Sequence, residues 1–373
     1  MSLKTLKILS VALCFALGAA EQATAQIVIG HTSGLTGPVA AGVKENADGA
    51  KLYLDSINAK GGVNGQQIEL VSVDDKFDPK LAAENARKLV TEHGAIAIFL
   101  NRGTPHAEAI VPLLDELKVP LVAPSTGAMV LHAPVNRWVF NVRSTYQREA
   151  EKAIALLQSI GVTSVGLLQV DDSFGKDAVI GALKGFTTAN LKPAFLLKFD
   201  RTKPEFTEFQ LAVRQGSPQA VFVMGSAVAV ADAMKALRAT GSRAQIATLS
   251  NNASAGFVKL LGENARGTIV TQVFPNERSI ASPLIKEALT LAKAKNLTEV
   301  SPAMLEGFAG AKVLVEGLRR AGAKPNGEKL RAALEAIRDY DIGGMDVTYS
   351  ATDHTGLDFV DLSIINKEGK FTR

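Results

Sequence analysis

Two short polar runs in this chain have the composition of binding loops, Asn101-Arg102-Gly103-Thr104 and Pro124-Ser125-Thr126-Gly127. Each follows an apolar run, the first directly preceding a helical pattern. A helix beginning there points unpaired backbone N–H groups and a partial positive charge at whatever lies beyond it. Carboxylates and other anions are held at such ends. Ser125 and Thr126 can donate and accept hydrogen bonds, Gly103 lets backbone approach a guest closely, and Thr104 before Pro105 reads as an N-cap with its first helical residue. Arg102 adds a guanidinium able to grip a planar anion with two bonds. The second half has its own pair, Gly225-Ser226 and Ser250-Asn251-Asn252. A single loop of this kind is usually only a cap. The functional reading rests on two of them facing a matching two.

The chemistry indicated is binding, not turnover. The sequence has no G-x-x-x-x-G-K-[ST] and no G-x-G-x-x-G after a strand, and Gly225-Ser226 lacks the second glycine of a G-x-S-x-G elbow. The histidines, His31, His93, His106, His132 and His354, include no i, i+4 pair, and the only cysteine is Cys14. No metal and no cofactor are expected. His31 and His106 are placed on loops at the cleft side, where they could contact a ligand, with surface or capping roles as the ordinary reading.

The elements that would position these loops alternate. Strands are expected at 27–30, 68–73, 95–100 and 120–123, with helices between them over 47–57, 79–90 and 104–117. The pattern restarts with strands at 164–170, 194–199, 220–224, 245–249 and 268–273, separated by helices at 173–189, 204–214 and 229–239. Helices at 282–293, 302–320 and 327–337 follow, then a hairpin-like stretch from 346 to 365. Strand and helix at this spacing imply parallel βαβ units and sheets covered on both faces. The fold class is α/β with two doubly wound lobes. In such sheets guests sit beyond the carboxyl ends of the strands. Trp138, Phe140 and Phe308 read as core, and Arg143 as a brace between the lobes.

Lys4 and Lys7, the apolar run Ile8–Leu17 and Ala23-Thr24-Ala25 describe a cleaved secretory signal over residues 1–25. The apolar run is too short to span a bilayer, which needs roughly 20 residues. The remainder has no cysteine and so needs a large core, which a 47% hydrophobic composition allows. A net charge of +4, spread among acids, excludes a nucleic-acid footprint.

Ser33-Gly34-Leu35-Thr36-Gly37-Pro38-Val39-Ala40, Ile57-Asn58-Ala59-Lys60-Gly61-Gly62-Val63-Asn64-Gly65 and Val73-Asp74-Asp75-Lys76-Phe77-Asp78-Pro79 resemble the amino-terminal lobe of the leucine/isoleucine/valine-binding family of periplasmic proteins. The resemblance extends over nearly the whole chain after the signal. It implies a type I periplasmic binding fold, two lobes joined by three crossovers near Val142–Tyr146, Thr271–Phe274 and Asp353–Asp361. Lobe 1 would comprise 26–143 and 275–355, lobe 2 144–274 and 356–373. It further implies a periplasmic monomer that closes on a small solute and delivers it to an ABC permease in the inner membrane. A ligand-sensing receptor domain is the alternative use of the same fold.

Carried over position by position, the family's pocket falls on Asn101, Arg102, Gly103, Thr104, Ser125, Thr126, Gly127, Phe174, Ser226, Ser250 and Asn251, with Leu35, Thr36 and Tyr146 as further candidates. The acidic residue that balances an amino acid's ammonium in that family falls near Ser250 and Asn251, neither of them charged. A buried ammonium without a carboxylate costs several kcal/mol. Either the solute is an aromatic or short aliphatic acid held by Arg102, or Arg102 faces solvent and Asp171 or Glu306 supplies the charge for an amino acid.

Overall fold

Residues 26–372 are described in a computed structural model. Residues 1–25, the expected secretory signal, and Arg373 lie outside the described residues. The first apolar runs build a five-stranded, fully parallel sheet from β1 (Ile27–Ser33), β2 (Ile68–Asp74), β3 (Ile98–Phe99), β4 (Leu121–Val122) and β5 (Val139–Phe140), in the order β2-β1-β3-β4-β5. Because successive side chains point to opposite faces, Ala97 and Phe99 join one buried cluster and Ile98 another. The strands are therefore apolar without alternation because helices cover both faces.

The second series repeats this order. β6 (Val165–Val170), β7 (Leu196–Phe199), β8 (Ala220–Met224), β9 (Gln245–Thr248) and β10 (Ile269–Gln272) run parallel as β7-β6-β8-β9-β10. The tail departs from the expected hairpin over 346–365. β11 (Tyr340–Asp341) pairs with β12 (Asp346–Val347), while β13 (Asp361–Ile365) adds antiparallel to β10 and then to β14 (Phe371–Thr372). The two ends of the proposed hairpin thus sit in different sheets.

The helices are α1 (Ala40–Asn58), α2 (Pro79–Thr91), α3 (Thr104–Leu117), α4 (Tyr146–Ser159), α5 (Ser173–Thr188), α6 (Thr207–Gly216), α7 (Ala227–Ala239), α8 (Ala255–Leu261), α9 (Pro283–Ala294), α10 (Pro302–Ala321) and α11 (Gly327–Glu335). The short α8 was not anticipated. α1 and α10 approach backbone to backbone: a Cβ on Gly307 would stand 1.8 Å from the Asn46 carbonyl oxygen. Phe308 and Trp138 are buried in the core as expected.

The chain passes between the sheets three times, after β5, after β10 and after β12. The first and third passages are tied together. Asn141 N donates to His354 O at 2.9 Å, and the Tyr349 hydroxyl donates to Asn141 O at 2.6 Å. Both lobes have the 2-1-3-4-5 strand order whose switch point lies at the carboxyl ends of the first and third strands, and those ends face one another across the cleft.

Candidate functional site

Between the lobes lies a narrow cavity of about 20 Å³, room for roughly one water. Its walls combine Val39, Phe77, Arg102, Gly103, Thr104 and Ser125 from the first lobe with Tyr146, Phe174, Arg201, Ser226 and Asn251 from the second. Every one of these lies near the carboxyl end of a strand or the start of a helix.

The first-lobe loops are locked to each other. Ser125 N donates to Asn101 O at 2.8 Å, and the Thr104 and Thr126 hydroxyls bond at 2.8 Å. Thr104 is therefore not the N-cap. Gly103 takes that position at φ +103°, a region that favours glycine. A Cβ on Gly103 would also meet His106 Nδ1 at 2.6 Å. Pro105 occupies the first turn as expected.

Arg102 is buried, at 5% exposure, so the solvent-facing reading of it is overturned. Its Nη1 donates to Ser125 Oγ at 3.4 Å, and its Nη2 donates across the cleft to Asn251 O. Those bonds use two of five N–H donors. Arg102 has no carboxylate in salt-bridge contact, and burial lowers its pKa against the weaker, opposing influence of Tyr146 and Glu306. Arg201, by contrast, is ion-paired with Asp172 and lies 4.9 Å over the Phe77 ring. Asp171 is exposed and bridges to Lys198 at 3.2 Å, so it supplies no charge to the cavity.

Beneath the cavity a buried ionic network spans the first passage. Arg143 is ion-paired with Glu149, approaches Glu306 at 3.7 Å and donates to Ser250 Oγ at 2.8 Å. Ser250 N and the Thr271 hydroxyl both donate to Glu149. Burial opposes the charge on Arg143, but Glu149 and its neighbours outweigh it and raise its pKa. The Arg143 guanidinium lies 4.5 Å over Tyr146, which meets Phe174 edge to face at 4.9 Å. Arg143 is thus the brace anticipated from its position.

Of the proposed site residues, Arg102, Gly103, Thr104, Ser125, Tyr146, Phe174, Ser226 and Asn251 line the cavity. Asn101, Thr126, Gly127 and Ser250 support it: Asn101 Nδ2 donates to Thr32 O at 3.2 Å and Gly127 O accepts from Tyr146 N at 2.7 Å. Ser226 also caps α7 through Ala229 N. Leu35 and Thr36 are not among the lining residues; Thr36 is held by Asp74 at 2.6 Å. His31 is buried within β1, bonded to Ser72 at 3.1 Å, and not on a cleft loop. His106 lies in the first turn of α3, stacked on Phe77 at 4.4 Å.

Val39, Phe77 and Arg201 were missed. Phe77 belongs to the quoted Val73–Pro79 run, and Arg201 follows β7, so the strand-end rule would have found both. Among the described residues no group of three His, Cys, Asp or Glu side chains could hold a metal, and no helix is long and apolar enough to cross a membrane.

The model of a family described as periplasmic binding protein matches residues 26–367. The chain is 26% identical over 360 residues to a Leu/Ile/Val-binding protein homolog 3 from Brucella melitensis, covering 94% of each chain. Among solved structures it is similar to a substrate-binding periplasmic protein from Ralstonia solanacearum, with TM-score 0.84, 31% identity and coverage of 93% of this chain and 99% of that one. It also shares its fold with a possible leucine/isoleucine/valine-binding protein from Rhodopirellula baltica, with TM-score 0.86, 24% identity and coverage of 95% and 98%.

Proposed function

Because this chain belongs to the periplasmic binding protein family, with its type I fold of two lobes and three crossovers, we propose that it is the periplasmic substrate-binding component of an ABC importer. On this reading lobe 1 comprises 26–143 and 275–355 and lobe 2 the remainder after the signal. It captures a small carboxylate-bearing solute between the lobes, performs no chemistry on it and presents it to an inner-membrane permease as a monomer.

The observation that carries the proposal is Arg102. A guanidinium buried between two lobes, with no carboxylate in salt-bridge contact, is an anion site in search of an anion. Asn101, Thr104, Ser125 and Thr126 fix its surroundings, and Tyr146, Phe174 and Phe77 supply apolar walls. The cavity is too small to admit a solute without lobe separation, so capture requires motion about the three passages. Native mass spectrometry of protein taken from periplasm tests this. The expected result is one small acidic metabolite, released unchanged on denaturation. Conversion of that metabolite by the protein would contradict the reading.

A further inference from the structure

We infer that the site selects carboxylates lacking an α-ammonium group, and that Arg102 sets this preference. The inference rests on the proposed capture of a carboxylate and narrows it to a chemical class.

The charges facing the cavity are one-sided. Its walls contain two guanidiniums, Arg102 and Arg201, and no carboxylate. Arg201 is neutralised by Asp172, which leaves Arg102 as the wall cation with no carboxylate in salt-bridge contact. Of the nearby carboxylates, Glu45 and Glu149 are engaged elsewhere. Glu45 accepts from Ala255 N at 3.0 Å and Gly256 N at 2.7 Å. Glu149 is held by Arg143, Ser250 and Thr271. Glu306 is ion-paired with Arg143 Nη1 at 3.7 Å, its Oε1 buried without a hydrogen-bond partner, and it is not among the cavity walls.

A solute carboxylate would meet the free N–H groups of Arg102 and complete its charge. An α-ammonium on the same solute would be desolvated beside the Arg102 guanidinium, with only neutral acceptors on the cavity walls to receive it. One of these is Asn251 Oδ1, which is buried without a hydrogen-bond partner while Nδ2 donates to Gly225 O at 3.0 Å. A neutral oxygen can accept a bond from a hydroxyl, but it cannot balance a full positive charge. A hydroxyl therefore fits where an ammonium does not. The aromatic walls, Phe77, Tyr146 and Phe174, suit a flat or branched apolar body.

The test compares pairs that differ only at that group: leucine against 2-hydroxy-4-methylpentanoate, and phenylalanine against 3-phenyllactate. Calorimetric titration of the mature chain is expected to show each hydroxy acid binding at least ten-fold more tightly than its amino acid. Arg102→Met, which keeps the volume and removes the charge, should weaken the hydroxy acids at least thirty-fold while leaving the thermal midpoint within a few degrees. Leucine or phenylalanine binding as tightly as its partner would overturn the inference and leave carboxylate capture standing. Arg102→Met that binds the hydroxy acids as well as the parent would overturn the role of Arg102. Binding of none of the four, with uncharged analogues bound instead, would overturn carboxylate capture itself.

Discussion

Arg143→Met should be the most damaging polar-to-apolar change in the protein. The Arg143 side chain is 2% exposed, that of Glu149 fully buried and that of Glu306 8% exposed. Removing the guanidinium leaves two carboxylates in the interior. Breaking a buried pair from one side costs about 3–5 kcal/mol. At roughly 2–4 °C per kcal/mol for a unit of lobe size, the midpoint in scanning calorimetry should fall by roughly 6–20 °C. Arg143→Met with Glu149→Gln should then recover part of the loss, because the orphaned charge is gone, giving a coupling of about 1–3 kcal/mol in the double-mutant cycle. A midpoint within 2 °C of the parent (against the roughly 6 °C minimum above), or strict additivity in the cycle, would refute the idea that this network joins the lobes.

Glu45→Ala deletes two bonds from α1 to the start of α8 across the cleft. At about 0.5–1.5 kcal/mol each, solute affinity should fall roughly 5- to 150-fold, with a larger radius of gyration in solution scattering. Unchanged values would remove Glu45 as a clasp. Gly307→Ala places a Cβ against the Asn46 carbonyl and should cost about 1–3 kcal/mol or more in urea unfolding. Burial raises Asp75 to about 7 from 3.8, against hydrogen bonds from Phe77 N and Thr32. The folded state thus binds the extra proton, and its contribution, full below pH 3.8, is lost as pH rises through about 7. The melting temperature of Asp75→Asn relative to the parent should therefore climb between pH 4 and pH 8, and a flat difference would contradict it.

Much of the architecture was legible because unbroken apolar runs such as Ala220–Met224 can be buried only in a sheet covered on both faces. The polar stops at Asn101–Thr104 and Pro124–Gly127 marked the strand ends facing the cleft. What escaped notice depends on contacts distant in sequence. β3 and β4 shorten to two residues each, because ladder pairing gives way to the polar loops that bond one another. Asp346–Val347 and Asp361–Ile365 look like two arms of one hairpin, but their partners, Tyr340–Asp341 and Ile269–Gln272, decide otherwise. Phe77 enters the cavity wall because Asp75 accepts from its N–H at 2.9 Å and holds it at φ +61°, a turn that periodicity does not reveal. The burial of Arg102 follows from a carbonyl at Asn251, which no side-chain pattern encodes.

The most direct test of the account is a crystal structure of the mature chain with the tightest-binding acid from the titration series. The account predicts that acid between the two sheets, its carboxylate oxygens on the Arg102 guanidinium and its apolar body against Tyr146 and Phe174. An acid bound elsewhere, or one in the cleft that leaves Arg102 unengaged, would contradict it.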